Sequence, residues 1–475
     1  MPRARPDPGV LQRFAVIVGE RHALSDPADV APYLREPRGL HHGRAAMVLR
    51  PGSVDEVMRI LALASATATP VVPQGGNTGL VGGQVPDASG AAIVLSLSRL
   101  DRIRDLDPAS NTAVAEAGVV LQRLREAAAA CDRQFPLSLA SQGSAQVGGL
   151  LSTNAGGTAV LAHGSMRARC LGLEVVLPSG ERLDDLRVLR KDNTGYDLSQ
   201  LFIGAEGTLG VITAAALTLA PRPRGVQVAW VAVPSVTAAL ALLALAQHHA
   251  GRSLSAFELM GETVLGFALA HVPGTTLPLP GGGPWSVLVE VASQRSQEDA
   301  QAIVEAMLAE ALRAGVAKDA ALASTLAQGA AFWRIRESLS QAQRAEGASI
   351  KHDIALPLAR IPEFIARGEA LVAAIAPGAR IACFGHLGDG NLHYNVSPPR
   401  DAAAAANFEA LRAPVSDAVH ALVLELQGSI AAEHGIGQLK RDALAASAPP
   451  VALAAMRRIK AAFDPAGIMN PGKLL

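Results

Sequence analysis

Pro73-Gln-Gly75-Gly76-Asn77-Thr78-Gly79-Leu-Val-Gly82-Gly83 decides how this chain is read. The preceding Pro70-Val-Val-Pro73 has the apolar, β-branched character of a short strand, so the glycines open directly off a strand end. Clustered glycines let successive backbone amides turn toward an anion, because no Cβ blocks close approach. A pyrophosphate is the natural guest. Neither Gly-x-Gly-x-x-Gly nor Gly-x4-Gly-Lys-Ser/Thr occurs in the 475 residues, which argues against a Rossmann unit or a P-loop. Two further clusters lie in the same half: Gln142-Gly-Ser144-Ala-Gln-Val-Gly148-Gly149, continuing through Thr153-Asn154-Ala-Gly156-Gly157, and Gly204-Ala-Glu206-Gly207-Thr208-Leu-Gly210. One such cluster alone would be read as tight turns. Three, with Asn, Ser and Thr interleaved, point to one long ligand, a dinucleotide touched along its length.

The elements around these loops are mixed. Ser53-Val-Asp-Glu56 is a capping box for a helix over 53–64; strands are expected at 91–97 and 112–117, a helix at 121–130 and a strand-turn-strand unit at 173–183. The first part is thus α+β and ends at the Pro221-Arg-Pro-Arg linker. Beyond it, alanine-rich helices at 236–249 and 297–314 alternate with strands near 286–291 and 349–357, a second α+β domain. The tail from Ala448 reads as a helix followed by Met469-Asn470-Pro-Gly-Lys473.

Composition removes several function classes. Lys plus Arg equal Asp plus Glu at 42 each, so no basic field exists to gather nucleic acid or an anionic membrane. Aromatics at 3% offer no base-stacking platform. Cys131, Cys170 and Cys383 are scattered and odd in number, which fits neither a disulfide framework nor a cysteine zinc site and suggests a reducing, cytoplasmic compartment. Mean hydropathy is +0.25, but no segment reaches the roughly 20 apolar residues of a membrane span. No secretory signal is expected from the charged, proline-rich start.

The second chemistry-bearing stretch is Gly385-His386-Leu-Gly-Asp-Gly-Asn391-Leu-His393-Tyr-Asn395, answered by Glu433-His434-Gly-Ile-Gly. His386, His393 and Glu433 are suitable ligands for zinc or a similar divalent ion, and three protein ligands leave a position open for substrate. His434 then becomes a candidate base. His-x6-His spacing alone is a weak signal, since most loop histidines are ordinary hydrogen-bonding residues. Density strengthens it: three of twelve histidines fall in these two segments.

Taken in order, the glycine loop, Asn154-Ala-Gly-Gly, Gly204-Ala-Glu-Gly-Thr-Leu-Gly, the two histidine motifs and Met469-Asn-Pro-Gly-Lys473 resemble the FAD-linked D-2-hydroxyacid dehydrogenases. That family includes D-2-hydroxyglutarate and D-lactate dehydrogenases and the flavin subunit of glycolate oxidase. The resemblance implies a vanillyl-alcohol-oxidase / p-cresol methylhydroxylase type FAD-binding domain at 1–222, an α+β cap domain at 223–425, and a C-terminal helical segment at 426–475 returning to the FAD domain. It places FAD contacts on Pro73, Gly75, Gly76, Asn77, Thr78, Gly79, Ser144, Gly148, Thr153, Asn154, Gly156, Glu206, Gly207, Ile212 and Asn470. Asn77-Thr78 stands where covalent relatives carry a linking residue, so the FAD is expected to be non-covalent. Ala162-His163-Gly164 departs from the basic residue and tyrosine more usual in the family.

Oxidising a 2-hydroxy acid requires loss of the hydroxyl proton and of the C2 hydride. On this reading the metal lowers the hydroxyl pKa and His434 takes the proton, while the hydride passes to flavin; a purely hydrogen-bonding role for His434 stays open. Arg336 and Ser340, four apart on a predicted helix, and Lys351 have a spacing resembling the substrate-binding positions of the hydroxyglutarate enzymes, with Asn395 as a matching amide. Their charges favour D-2-hydroxyglutarate or D-malate over lactate. Alternatives are a D-lactate or glycolate enzyme, a metal-free flavin oxidase of another alcohol, and a non-catalytic subunit retaining the flavin fold. An electron-transfer flavoprotein or quinone-linked carrier is the expected acceptor, and a homodimer the expected assembly.

Overall fold

The computed structural model describes residues 5–475. They form two compact units: one gathers the chain up to Gly157 with Gly164–Arg222 and Glu433–Leu475, the other Thr158–His163 with Pro223–Ala432.

In the first unit, the Ser53 hydroxyl accepts the Glu56 amide at 3.2 Å and opens the helix Val54–Thr67. Its buried Val57, Ile60, Leu61 and Ala64 follow the i, i+3, i+4, i+7 spacing of a core-facing stripe. They share a core with Met47, Leu49, Val71, Ile93, Leu95 and, from the far end of the chain, Met469. The small sheet beside this helix has the order Ala23–Leu24, Met47–Leu49, Ile93–Ser96, Val71–Gln74. Val71–Gln74 runs parallel to Ile93–Ser96 and ends where Gly75 begins.

A second sheet in this unit is antiparallel, in the order Ile103–Asp107, Thr112–Glu116, Val211–Thr218, Cys170–Val176, Arg182–Asp185. The helices Leu121–Ala130 and Val147–Ser152 add Leu124, Val147 and Leu151 to its core. Val211–Thr218 is buried throughout and central. Its sequence carries no strand signal, because a strand buried on both faces has no period-two alternation to reveal it.

The second unit is built on a seven-stranded antiparallel sheet in the order Asp319–Leu322, Gly225–Val233, Trp285–Ser293, Leu254–Gly261, Arg380–His386, Asn391–Ser397, Asp353–Ala355. Helices Glu262–His271 and Leu326–Ala345 cover one face around Trp230, Met260, Leu288, Phe332 and Phe384. Val236–Ala250, Gln297–Arg313 and Ile361–Ile375 cover the other, where Phe364 meets the Tyr394 ring edge-on. The strand expected over 349–357 is shorter than predicted, only Asp353–Ala355. The His352 amide bonds to the Asn395 side chain at 3.2 Å instead of a ladder carbonyl, and Ile350 makes an isolated bridge to Val396. Among the described residues no helix is long and apolar enough to cross a membrane.

Candidate active site

Gly76 brings the first two glycine clusters together. A Cβ there would lie 1.8 Å from the Ser144 carbonyl oxygen, so only glycine permits the contact. The third cluster reaches the first where Gly207 meets the Pro73 ring. Three stretches distant in sequence thus form one lining at the end of the Val71–Gln74 strand. Asn77, Asn154, Glu206 and Asn470 all hold positive φ, a conformation asparagine tolerates and glutamate rarely adopts.

Asn77 Oδ1, Gln146 Oε1 and Asn470 Oδ1 are buried acceptors without a hydrogen-bond partner among the described residues. Folded proteins seldom leave such atoms unpaired. FAD carries ribityl hydroxyls and a ring N–H that suit them, so this lining fits the cofactor. Other predicted contacts are engaged within the protein. Asn154 Oδ1 accepts from Ser165 Oγ and the Arg167 amide, both at 2.9 Å, and Thr153 Oγ1 donates to the Gly149 carbonyl at 3.1 Å. Gly148 lies against Ala117, and Ile212 is a core residue opposite Val175. His163 ends a short helix that belongs to the other unit.

The Glu206 side chain is engaged within the protein. Its Oε1 accepts the Ile436 amide and its Oε2 the Gly437 amide, each at 2.7 Å. Burial pushes this carboxyl above its ordinary pKa, against the opposing pull of the two amides and of Lys440. Gly437 is at φ +52, where a Cβ would lie 2.3 Å from the Val81 carbonyl oxygen. Asn470 Nδ2 donates to the carbonyls of Gly83 at 2.9 Å and Glu206 at 2.7 Å. The Glu206 side chain therefore serves the protein: it anchors the turn that follows Glu433-His434.

The second unit supplies the histidine pair. In its sheet Glu258 stands opposite His386, Phe384 opposite His393, and Asp353 opposite His393 on the other side. Strand alternation puts all of them, with Asn395, on one face. His386 Nδ1 lies 2.7 Å from Glu258 Oε1, while Arg336 Nε donates to Oε2 at 2.8 Å and Nη2 lies 2.7 Å from the same oxygen. Burial alone would raise the Glu258 pKa, but His386 and Arg336 outweigh it and hold the carboxyl below its usual range. A metal held at Nε2 of His386 would require Nδ1 to be the ring's N–H donor, and the Glu258 carboxylate at 2.7 Å is a suitable acceptor for it.

The His386 and His393 rings meet edge to face, 5.7 Å between centroids. His393 Nδ1 is 3.8 Å from Asp353 Oδ1, too long for a hydrogen bond. Glu433 is the residue after Ala432, whose amide points to the Asp353 carbonyl at 3.4 Å.

Arg336 is buried, its guanidinium 5.0 Å from the centroid of the Phe384 ring. Nη2, although close to Glu258, lacks a well-aligned acceptor. Ser340, four residues on, is exposed, and Lys351 is half-buried just ahead of Asp353–Ala355. Asn395 Oδ1 accepts the His352 amide, and its Nδ2 donates to Gln343 Oε1 at 3.0 Å. Sequence reasoning missed Glu258 and Gln343. A lone carboxylate inside the apolar run Leu-Ser-Ala-Phe-Glu258-Leu-Met was the available signal for the first, since such a charge stays buried only when paired.

A glycine-lined dinucleotide site in one unit, with a histidine and arginine cluster on an open sheet in the other, defines a flavin-linked oxidoreductase. Comparisons with known proteins agree. Residues 45–185 match an FAD binding domain and residues 222–474 match the FAD linked oxidases, C-terminal domain. The chain is 35% identical over 462 residues to the mitochondrial D-2-hydroxyglutarate dehydrogenase of Arabidopsis thaliana, covering 97% of this chain and 80% of that protein. With the enzyme of the same name from Rattus norvegicus it shares 37% over 470 residues, 98% of this chain and 84% of the other. A crystal structure of p-cresol methylhydroxylase matches at a TM-score of 0.76 with 15% identity, covering 98% and 96% of the two chains, which places the fold in the vanillyl-alcohol-oxidase class. The chain belongs to the FAD-linked D-2-hydroxyacid dehydrogenase family and is an FAD-dependent dehydrogenase.

Proposed function

We propose that this dehydrogenase oxidises D-2-hydroxyglutarate, and also D-malate, to the 2-oxo acid, assisted by zinc or a similar divalent ion. The observation that carries the reading is the sharing of Glu258 by Arg336 and His386: a buried cation with a donor left for a substrate carboxylate stands beside a histidine whose Nδ1 faces the same carboxylate and whose Nε2 would be left for a metal. Near full-length similarity to enzymes named D-2-hydroxyglutarate dehydrogenase supports the same substrate.

His386, His393 and Glu433 would hold the ion, whose Lewis acidity would lower the pKa of the substrate C2 hydroxyl. FAD, when bound, supplies the acceptor for the C2 hydride. His434 takes the hydroxyl proton on a ring nitrogen. Arg336, Ser340 and Lys351 bind the distal carboxylate. Asn395 keeps a second Nδ2 hydrogen, beyond the one given to Gln343, for a substrate oxygen. A monocarboxylate such as lactate has no second anion to take the Nη2 donor that Glu258 leaves without a well-aligned acceptor.

The FAD is held non-covalently, contacted by the Pro73 to Gly79 loop and by Ser144, Gly156, Gly207 and Asn470, with Gly148, Thr153, Asn154, Glu206 and Ile212 shaping the lining. An electron-transfer flavoprotein or quinone-linked carrier takes the electrons onward, and the protein works as a homodimer. The free thiols of Cys131, Cys170 and Cys383 support a reducing, cytoplasmic setting. Steady-state assays with an artificial acceptor test the substrate. kcat/KM for D-2-hydroxyglutarate should exceed that for D-lactate by more than about tenfold, the worth of one charge-assisted hydrogen bond. Equal values reject the diacid reading.

A further inference from the structure

We propose that Glu258 is a positioning residue with two clients, fixing His386 for the metal and Arg336 for the substrate, so that one side chain sets both metal affinity and diacid recognition. This rests on the metal and diacid reading above and adds to it a residue absent from the histidine motifs.

The geometry divides the carboxylate between its two clients. Oε1 faces His386 Nδ1 at 2.7 Å, and Oε2 faces Arg336 Nε at 2.8 Å and Nη2 at 2.7 Å. Glu258 is fully buried, so water does not substitute for either donor. Glu290, another carboxylate of the same sheet, is already committed. It takes Ser255 Oγ on Oε1 and Trp333 Nε1 on Oε2, both at 2.7 Å. A glutamine in place of Glu258 offers one acceptor oxygen and an NH2 group that faces a donor, so it serves one client and repels the other. An aspartate is one methylene shorter and reaches one donor at most. A carboxylate that only neutralised Arg336 would leave metal affinity unmoved on substitution.

The test uses the FAD-loaded holoprotein in four forms besides the parent: Glu258→Gln, Glu258→Asp, Arg336→Met and the double variant E258Q/R336M. Zinc Kd is measured by chelator competition, KM and kcat with D-2-hydroxyglutarate, and flavin absorbance reports an intact FAD unit. E258Q is expected to weaken zinc binding roughly 10- to 100-fold, as loss of a carboxylate behind a metal-bound histidine does, and to raise KM. R336M should raise KM while leaving zinc affinity near that of the parent. In the double variant the KM effects should not add, because removal of Glu258 already releases Arg336. Unchanged zinc affinity in E258Q, or additive KM effects, overturns the proposal. Should E258Q fail to retain FAD, E258D decides: unchanged zinc affinity overturns the proposal, and weakened zinc affinity supports it. A parent protein that binds no zinc sinks the metal reading itself, and this proposal with it.

Discussion

Glu206 accepts the amide of Gly437 at 2.7 Å across 231 residues of sequence, and its other oxygen accepts Ile436 at the same distance. The glycine-loop residue therefore fixes the turn that directly follows Glu433 and His434. Glu206→Gln keeps the shape but replaces one acceptor by a donor aimed at an amide. Hydrogen bonds to charged groups contribute about 1.5–3 kcal/mol, so kcat should fall roughly ten- to hundredfold while the flavin spectrum is retained. Steady-state kinetics alongside absorbance checks this; an unaltered kcat would show that the turn is held elsewhere.

Lys351 has the clearest separable role. Lys351→Ala should raise KM for D-2-hydroxyglutarate about tenfold and leave D-lactate turnover nearly untouched, since lactate has no distal carboxylate to lose a partner. The ratio of the two kcat/KM values is the readout. A parallel fall for both substrates removes Lys351 from the distal-carboxylate site.

Dialysis of the holoprotein against a strong chelator should abolish turnover without bleaching or releasing FAD, and added zinc should restore it. Full activity in protein shown by elemental analysis to be metal-free contradicts the assignment of His386, His393 and Glu433.

Lys473 predicts a pH dependence. It is 3% exposed and donates to the Pro471 carbonyl at 3.3 Å. Burial pulls its pKa down to about 8, with Asp87 opposing and Arg441 adding to the effect. An unfolded lysine titrates near ~10.4. Between these values the unfolded chain binds more protons, so stability rises with pH, and the cost of the buried ammonium is complete below about pH 8. Lys473→Met should therefore stabilise the FAD-free protein by roughly 3 kcal/mol near neutral pH. The gain should shrink toward about pH 10, as followed by denaturant unfolding. A gap that does not change with pH contradicts the buried charge.

What the sequence made legible was local. The helix over 121–130 and the glycine clusters follow from periodicity and from residues whose backbone freedom has a visible use, as at Gly76. Pairings across the fold were not legible. Glu258 lies 128 residues from His386, and only the register of Leu254–Gly261 against Arg380–His386 brings them together. Glu206 is placed among the FAD contacts by resemblance, and nothing local reveals that its carboxylate meets amides near the other end of the chain. The short edge strand at Asp353–Ala355 depends on a side chain, Asn395, taking a backbone amide, which no propensity encodes.

Anaerobic titration of the purified FAD-loaded protein with D-2-hydroxyglutarate, followed by the visible absorbance of the flavin, tests the central claim most directly. Rapid and complete bleaching by the D acid, with little or none by the L enantiomer or by D-lactate at the same concentration, is the predicted result. An unreduced flavin, or equal bleaching by both enantiomers, would contradict it.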